Sequence, residues 1–442
     1  MKHIYDDFAY SDAPRAGCWW DQTCDVPERP ALDGDRSCDV VIVGGGFTGI
    51  SAALHLAQAG VSATVLESRY VGWGASGRNG GFCCLGGGML DNAALDKRFG
   101  REGRDAWRQT EVAAIRLVED LLECHCIDVD RHSDGETQFA HRPKDFDAMR
   151  KDVEYYAENY GLEARLTGPS DLVAEGMNAG FHGAITVPIG FGLNPRKFIT
   201  GMAAAAQAAG AQIYHETPVA QIARKGGQFE VHTPNGVVTA DRVIIGTNGY
   251  SSEDLPDWLA ARYMPTQSSV IVTRPLTQSE LAAQGWTSGQ ASYDTRHLLH
   301  YFRLMPDNRM LFGVRGGLMA NAKSEGRAMR RARADFDRMF PAWRDVDTPH
   351  SWSGMVCIAR DRMPFVGQVP DQPGMFASLC YHGNGVAMAS YSGALLADLV
   401  QDQTSQRIYP QAVQRPLAKF ELGRMRRAIM PLAYLGFTLS DL

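Results

Sequence analysis

The sequence predicts a mixed α/β protein in which a domain built on a parallel sheet is interrupted by a second domain, and three observations carry that prediction. Asp39-Val40-Val41-Ile42-Val43 is a short β-branched run of the kind buried on both faces of a parallel sheet. A glycine-spaced turn and a helical segment follow it, and residues 63–66 supply a second strand that completes a βαβ unit. Much later, residues 375–380 again read as strand and 386–400 as helix, so the chain returns to its first sheet after long insertions.

Taken in order, residues 1–35 hold Trp19, Trp20 and three prolines without periodicity and read as an extended arm lying across the surface. The helix from Thr48 to Ala59 is closed by Gly60 as its C-terminal cap. Residues 104–125 and 143–160 read as amphipathic helices, the first with an apolar face marked by Trp107, Val112, Ile115, Val118 and Leu122. A further helix begins at Pro195 and ends before Gly210. Strand-like runs then cover 212–214, 229–233, 237–240 and 243–245, with Asn235-Gly236 as a type I′ hairpin signal between two of them. Residues 269–273 and 300–314 are strand-rich again. The expected division is an arm (1–35), a discontinuous first domain (36–100, 195–265 and 350–405), a second domain (101–194 and 266–349) and a C-terminal helical tail (406–442).

Composition narrows the function classes. A chain of 442 residues with 45% hydrophobic and 21% charged residues has material for two cores. Its net charge of -6 argues against a polyanion partner, so nucleic acid is not expected. The first ten residues lack the charged-then-apolar layout of a secretory signal, and the expected location is the cytoplasm. Nine cysteines without a CxxC spacing fit reduced thiols. No apolar stretch approaches the roughly 20 residues that span a bilayer. The basic-then-apolar tail (Lys419, Arg424, Arg426 and Arg427, then 430–439) reads as a last helix packed on the body, without peripheral membrane contact. The histidines are scattered, and His125 between Cys124 and Cys126 is too tight for a tetrahedral site, so no metal is expected.

Gly44-Gly45-Gly46-Phe47-Thr48-Gly49 follows a strand and opens a helix, the context in which G-x-G-x-x-G binds a dinucleotide pyrophosphate at a helix N-terminus. Glu67 ends the second strand eighteen residues after Gly49, placed to accept hydrogen bonds from a ribose diol, with Ser68 beside it. The long glycine-rich loop that follows holds Gly74, Ala75, Ser76, Gly77, Arg78, Asn79, Gly80 and Gly81. Such a loop wraps a ribityl chain and pyrophosphate, which points to FAD rather than NAD. Near the other end, Gly383-Asn384-Gly385-Val386 precedes a helix whose N–H groups and dipole are suited to face flavin N1 and the C2 carbonyl, where charge gathers on reduction.

The segments DVVIVGGGFTGISAALHLAQAG, GWGASGRNGG, GFGLNP, YFRLMPDNRMLFG and YHGNGVAMASYSGALLADL, in this order, resemble the D-amino-acid-oxidase-like FAD-dependent oxidoreductases, and within them the γ-glutamylputrescine oxidase branch. The resemblance covers nearly the whole chain from about residue 20. It implies a Rossmann-like FAD-binding domain interleaved with a substrate domain built on a mixed or antiparallel sheet with helices. It adds Val219, Thr247 and Asn248 to the FAD contacts already named. The implied reaction takes hydride from the α C–H of a neutral amine onto flavin N5. The imine then hydrolyses to an aldehyde, and dioxygen or another acceptor reoxidises the flavin. Sarcosine-type relatives hold a substrate carboxylate with a lysine where this chain has Ala387, which favours an amine without an α-carboxylate. Where relatives use a lysine toward oxygen this chain has Leu311, and where the putrescine-type pattern has histidine it has Asn384. The substrate-side candidates are Arg315, Arg303, Tyr301 and His300, with Trp73 and Trp352 as walls of the flavin site. Some relatives attach flavin covalently near Cys357, but the matching position falls nearer Gly354, so FAD is expected to be non-covalent. An imino- or amino-acid oxidase of the same fold, and a flavin-binding redox partner without its own substrate, stand as the alternative readings.

Overall fold

The computed structural model describes residues 2–317, 320–402 and 405–431, together with 434, 436, 440 and 441. Its first half runs β1 (Arg36–Val43), α1 (Phe47–Gln58), β2 (Ala63–Leu66), β3 (Phe82–Cys83), α2 (Asn92–Cys124), β4 (Glu136–Phe139), α3 (Pro143–Tyr160), β5 (Arg165–Thr167), α4 (Pro169–Ala174), β6 (Ala184–Val187), β7 (Phe191–Gly192) and α5 (Pro195–Ala208). The second half continues with β8 (Gln212–Tyr214), β9 (Gln221–Lys225), β10 (Gln228–Thr233), β11 (Gly236–Ile245), β12 (Tyr263–Val272), α6 (Gln278–Gln284), β13 (Ala291–Asp294), β14 (His300–Leu304), β15 (Met310–Gly317), α7 (Ala322–Met339), β16 (His350–Ala359), β17 (Phe365–Gln368), β18 (Met375–Leu379), α8 (Gly385–Val400) and α9 (Gln411–Gln414).

Two sheets organise these elements. The first has the order β17-β18-β11-β1-β2-β8, with the β9–β10 meander attached to β11. Its centre is parallel: β1 lies between β2 and β11, and β18 extends β11 in the same direction. The apolar β-branched strands make this possible, since Val41, Ile42, Val65 and Ile244 are fully buried between layers. α1 and α8 leave the carboxyl ends of β1 and β18 and pack closely through small side chains. A Cβ on Gly393 would stand 2.3 Å from Thr48 O, and Ser51 Oγ donates to Ser390 O at 2.6 Å. Both helix N-termini therefore open onto the same edge of the sheet, the crevice in which doubly wound sheets bind ligands.

The second sheet has the order β16-β12-β15-β14-β13-β4-β6-β5 and is antiparallel except for the β4–β13 pair. One face carries Phe139, Phe302, Phe312 and Val314, which pack under α7 with Phe336 and Trp343. The alternating residues face the other way, toward the first domain.

Several sequence expectations need correction. The N-terminal segment is not extended: it forms short 3-10 turns at Asp7–Tyr10, Ala13–Arg15 and Trp19–Gln22. Trp20 and Arg15 are both 2% exposed. The strand runs at 237–240 and 243–245 are one strand, β11, which pairs with β1 along nearly its whole length, while its first half also pairs with β10 and its last residues with β18. The polar Asp241-Arg242 interruption hid that continuity. β16 lies in the second sheet, paired with β12 along its length, so the last stretch of the first sheet starts at β17 and not at residue 350. α2, assigned in part to the second domain, shares its core instead with α1 and α8: Trp107, Ile115 and Val118 pack with Leu54 and Leu395. The tail beyond α9 continues in a 3-10 segment at Gly423–Ile429, and most of the apolar run 430–439 lies outside the described residues. Among the described residues no helix is long and apolar enough to cross a membrane.

Candidate functional site

The turn after β1 explains the spacing of its glycines. A Cβ on Gly49 would stand 2.0 Å from Gly44 O, so the first turn of α1 presses directly on the end of the strand, and no larger residue fits. Ser76 of the glycine-rich loop reaches back to this turn, its Oγ accepting from the Phe47 N–H at 2.9 Å. Glu67, at the end of β2, accepts from the Gly45 N–H at 2.6 Å and the Arg69 N–H at 2.9 Å, and Ser68 donates to the same carboxylate. Burial raises the Glu67 pKa, and the backbone donors at Gly45 and Arg69 work against that shift.

The glycine-rich loop is held from both sides. Arg15 of the N-terminal segment donates to Trp73 O at 2.9 Å, and Trp20 Nε1 donates to Asn79 O at 2.9 Å. From the second sheet, Arg303 donates to Gly80 O at 2.8 Å and Leu193 O at 2.7 Å. Arg78 lies over the Trp73 ring at 4.3 Å, with its Nε donating to Trp73 O, while its buried Nη2 has no partner. A buried guanidinium nitrogen left unpaired beside a helix N-terminus and a serine-lined turn is the arrangement a pyrophosphate would complete. The residues present therefore fit an adenine dinucleotide.

These elements enclose a cavity of about 280 Å³ between the two sheets. Of the residues expected to meet FAD, it brings together Phe47, Ala75, Ser76, Arg78, Asn79, Gly80, Asn248 and the run Gly383, Asn384, Gly385 and Val386. Others stand behind this wall. Thr48 shares a hydroxyl–hydroxyl hydrogen bond with Tyr381 at 2.7 Å, Thr247 bonds Ser251, and Val219 is buried in the core of the first sheet. Gly74 packs against the Tyr250 ring, and Gly77 and Gly81 press on the backbone of Gly72 and Leu193. At the late turn, Asn384 Nδ2 donates to Leu85 O at 2.8 Å, and α8 begins at Gly385 with its N-terminus toward the cavity.

The substrate-side candidates separate by strand periodicity. Tyr301 faces the cavity, and its hydroxyl bonds Ser268 at 2.9 Å. His300, one residue earlier, must point to the opposite face. There it bonds Asp294 at 2.7 Å and Asp335 at 3.3 Å, and these carboxylates raise its pKa against the opposing effect of burial. His300 is an ion-pair residue of the core and not a substrate contact. Arg303 shares the Tyr301 face, but its guanidinium is consumed by the loop carbonyls and His132, and burial lowers its pKa to about 9. Trp352 donates to Arg78 O at 2.7 Å and packs with Trp20, so it supports the loop from outside the cavity. Trp73 likewise lies beneath Arg78.

Of the substrate-side cations, Arg315 alone reaches the cavity. Its guanidinium lies against Gly383, where a Cβ would come within 2.2 Å of Nη2, so the glycine in that turn makes room for the arginine. Burial holds its pKa below the usual arginine range, and the groups that act on it, Tyr301, Cys84, Tyr434 and Tyr293, include no carboxylate. The cavity thus carries a desolvated positive charge whose guanidinium donors make no hydrogen bond among the described residues, suited to an anionic group of a ligand.

The sequence reading missed several cavity residues, titratable ones among them. His382 precedes Gly383 directly; it accepts from the Ala359 N–H at 3.1 Å and donates from Nδ1 to Gly87 O at 2.9 Å, and burial chiefly lowers its pKa to about 4. It is a neutral strut, signalled by its place beside the glycine turn. Glu136, Cys84 and Tyr293 line the far part of the cavity. Glu136 lies in the four-residue strand Glu-Thr-Gln-Phe, too short and too polar to leave a pattern. Cys357 lines the cavity with its Sγ 3.5 Å from Cys380 Sγ, and all nine cysteines are free. Among the described residues no cluster of three or more His, Cys, Asp or Glu is arranged to hold a metal.

The family described as "FAD dependent oxidoreductase" (DAO) matches residues 39–399. A probable oxidoreductase OrdL of Rhizobium meliloti is 31% identical over 428 residues, covering 96% of this chain and 97% of that protein. The γ-glutamylputrescine oxidoreductase of Escherichia coli is 30% identical over 406 residues, covering 92% of each. Among solved structures, glycine oxidase from Geobacillus kaustophilus superposes with a TM-score of 0.70 at 20% identity, covering 87% of this chain and all of that one.

Proposed function

Because the chain belongs to the DAO family of FAD-dependent oxidoreductases, we propose that it oxidises a small amine without a carboxylate on the reacting carbon, a γ-glutamyl-amine or polyamine-like compound, and that a carboxylate elsewhere in the substrate meets Arg315. Bound FAD supplies the acceptor for the hydride lost from the amine's α-carbon. The residues that would hold it are Glu67 at the ribose, Ser76, Arg78 and the α1 N-terminus at the pyrophosphate, and the Gly383–Val386 turn at the ring. No side chain is needed as a strong base, because the reacting amine has only to be neutral and held in place.

The observation that carries this reading is the guanidinium of Arg315 in the cavity, which has no carboxylate partner among the described residues. It orients a substrate through its carboxylate, while Tyr301 and Ser268 supply a hydroxyl pair beside it. The position that is lysine in sarcosine-type relatives is Ala387, buried in α8 and without a charge to offer. The 30% identity to a γ-glutamylputrescine oxidoreductase supports the same substrate class. Binding of FAD is proposed as non-covalent: Gly354 carries no nucleophile, and Cys357 is buried against Cys380. The imine product would leave to hydrolyse in water, and dioxygen or another acceptor would take up the electrons.

The test is anaerobic mixing of the yellow holoenzyme with polyamines, γ-glutamyl-amines, and linear and cyclic amino acids. Bleaching by γ-glutamyl-amines in preference to glycine, proline or pipecolate is the expected result. Preference for the amino acids moves the assignment to an imino- or amino-acid oxidase. A flavin that no amine bleaches leaves a redox partner without a substrate of its own.

A further inference from the structure

Glu136 is a carboxyl group the reaction above does not use. It lines the cavity and is 5% exposed. It stands on β4 while Arg315 stands on β15, with β13 and β14 between them. At roughly 4.8 Å per strand, that places the two backbones about 14 Å apart across the sheet. The titratable groups around Glu136 are Cys83 of β3, Cys84 directly after it, Glu111 of α2, Tyr156 of α3 and Tyr293 of β13. None of them is a cation. Cys84 hydrogen-bonds the carboxyl, and burial, with Glu111 adding to it, raises its pKa to about 8.

A buried carboxyl without a positive partner is costly unless it stays protonated or something brings the charge to it. The geometry points to Glu136 as the receptor for a second, non-reacting ammonium group of the substrate, at the opposite end of the cavity from the carboxylate held by Arg315, with the reacting amine neutral between them. The inference rests on the amine-oxidation reading and deepens it. An α-amino acid carries its two charges on groups attached to one carbon and is too short to span the cavity between the two strands. An extended chain with a carboxylate at one end and an ammonium at the other spans it. When the ammonium arrives, the Glu136 carboxyl gives its proton to water and an ion pair forms, so atoms and charge balance: a neutral acid and a cation become a paired carboxylate and cation plus one released proton.

The test uses methylguanidinium, a cation with N–H donors that keeps its charge through neutral pH, bound to the holoenzyme and followed by titration calorimetry. In the wild type its affinity rises about tenfold per pH unit between pH 6 and 8, since the carboxyl must ionise to accept it. In Glu136→Gln the affinity is weaker and flat with pH, and the proton release is gone; Glu136→Asp keeps the slope. A slope that survives in Glu136→Gln, a flat wild type, or no binding by the wild type at any of these pH values overturns the inference. None of these outcomes depends on turnover. An amine that bleaches the flavin of wild type and Glu136→Gln at equal affinity leaves the oxidation reading intact while removing Glu136 from it. A Glu136-dependent isotherm with a flavin that no amine bleaches does the reverse.

Discussion

Replacing Glu136 by glutamine should stabilise the fold, and by an amount that grows with pH. In the unfolded chain the carboxyl ionises near 4.5, whereas in the folded cavity burial holds the proton to about pH 8. A folded pKa raised above the unfolded value means that the folded state is favoured at low pH. That advantage is lost as pH rises from 4.5 through 8. Over this window each pH unit removes about 1.4 kcal/mol, so between pH 4.5 and 7 the wild type loses about 3 kcal/mol from this group. The amide that replaces the carboxyl has no proton to lose, so the stability difference between variant and wild type should open by about 3 kcal/mol across the same interval. The assay is urea denaturation of both proteins at matched excess FAD from pH 4.5 to 8, with the midpoints compared at each pH. Stability curves that run parallel, or a variant less stable at pH 7 than wild type, would refute the reasoning and imply that a cation already pairs with Glu136.

Three further outcomes follow from the site. Gly49→Val should abolish FAD retention and lower the melting temperature, because its Cβ meets Gly44 O at 2.0 Å, whereas Gly385→Ala, whose nearest neighbour is 3.8 Å away, should keep the flavin; absorbance near 450 nm reads both. Glu67→Lys should also emerge without FAD, through loss of the ribose acceptor, and full flavin occupancy in that variant would disprove the role given to Glu67. Arg315→Met should raise KM at least tenfold for carboxylate-bearing amines and little for amines without one, while Arg303→Met should instead cost about 2 to 4 kcal/mol of stability by leaving Gly80 O and Leu193 O unpaired; the opposite pattern in kinetics and melting would exchange their roles.

The cofactor half of the site was legible because its chemistry is local. Strand, glycine turn, helix and Glu67 lie within one βαβ unit, and each is required by backbone geometry that leaves a residue pattern behind. The substrate half was not, because it is written across strands that meet only in the fold. His300, Tyr301, Arg303 and Arg315 looked equivalent along the chain. Only the pairing of β14 with β15 and β13 reveals that His300 points to the α7 side, and only the loop carbonyls reveal that Arg303 is already occupied. Glu136 was invisible for the same reason: its strand pairs in parallel with β13, more than 150 residues downstream. The N-terminal arm was misread because tryptophans without period carry no secondary-structure signal, although their burial against the glycine-rich loop is specific.

The first sheet is assembled from three widely separated stretches of chain, β1 and β2, then β8 to β11, and finally β17 and β18. β11 receives its last parallel neighbour only after residue 379 has been made, and α8, whose N-terminus closes the late turn, only after that. During synthesis the open edge of β11 and the apolar face of α1 have no cover, a state prone to misassembly in chains of this size. Capture of the cofactor is thereby tied to the end of synthesis: the emerging polypeptide has its phosphate turn early, but no floor for the ring until nearly nine-tenths of it is finished. Shortage of riboflavin should therefore show itself in cells first as aggregated, protease-sensitive protein rather than as a pool of folded, colourless enzyme.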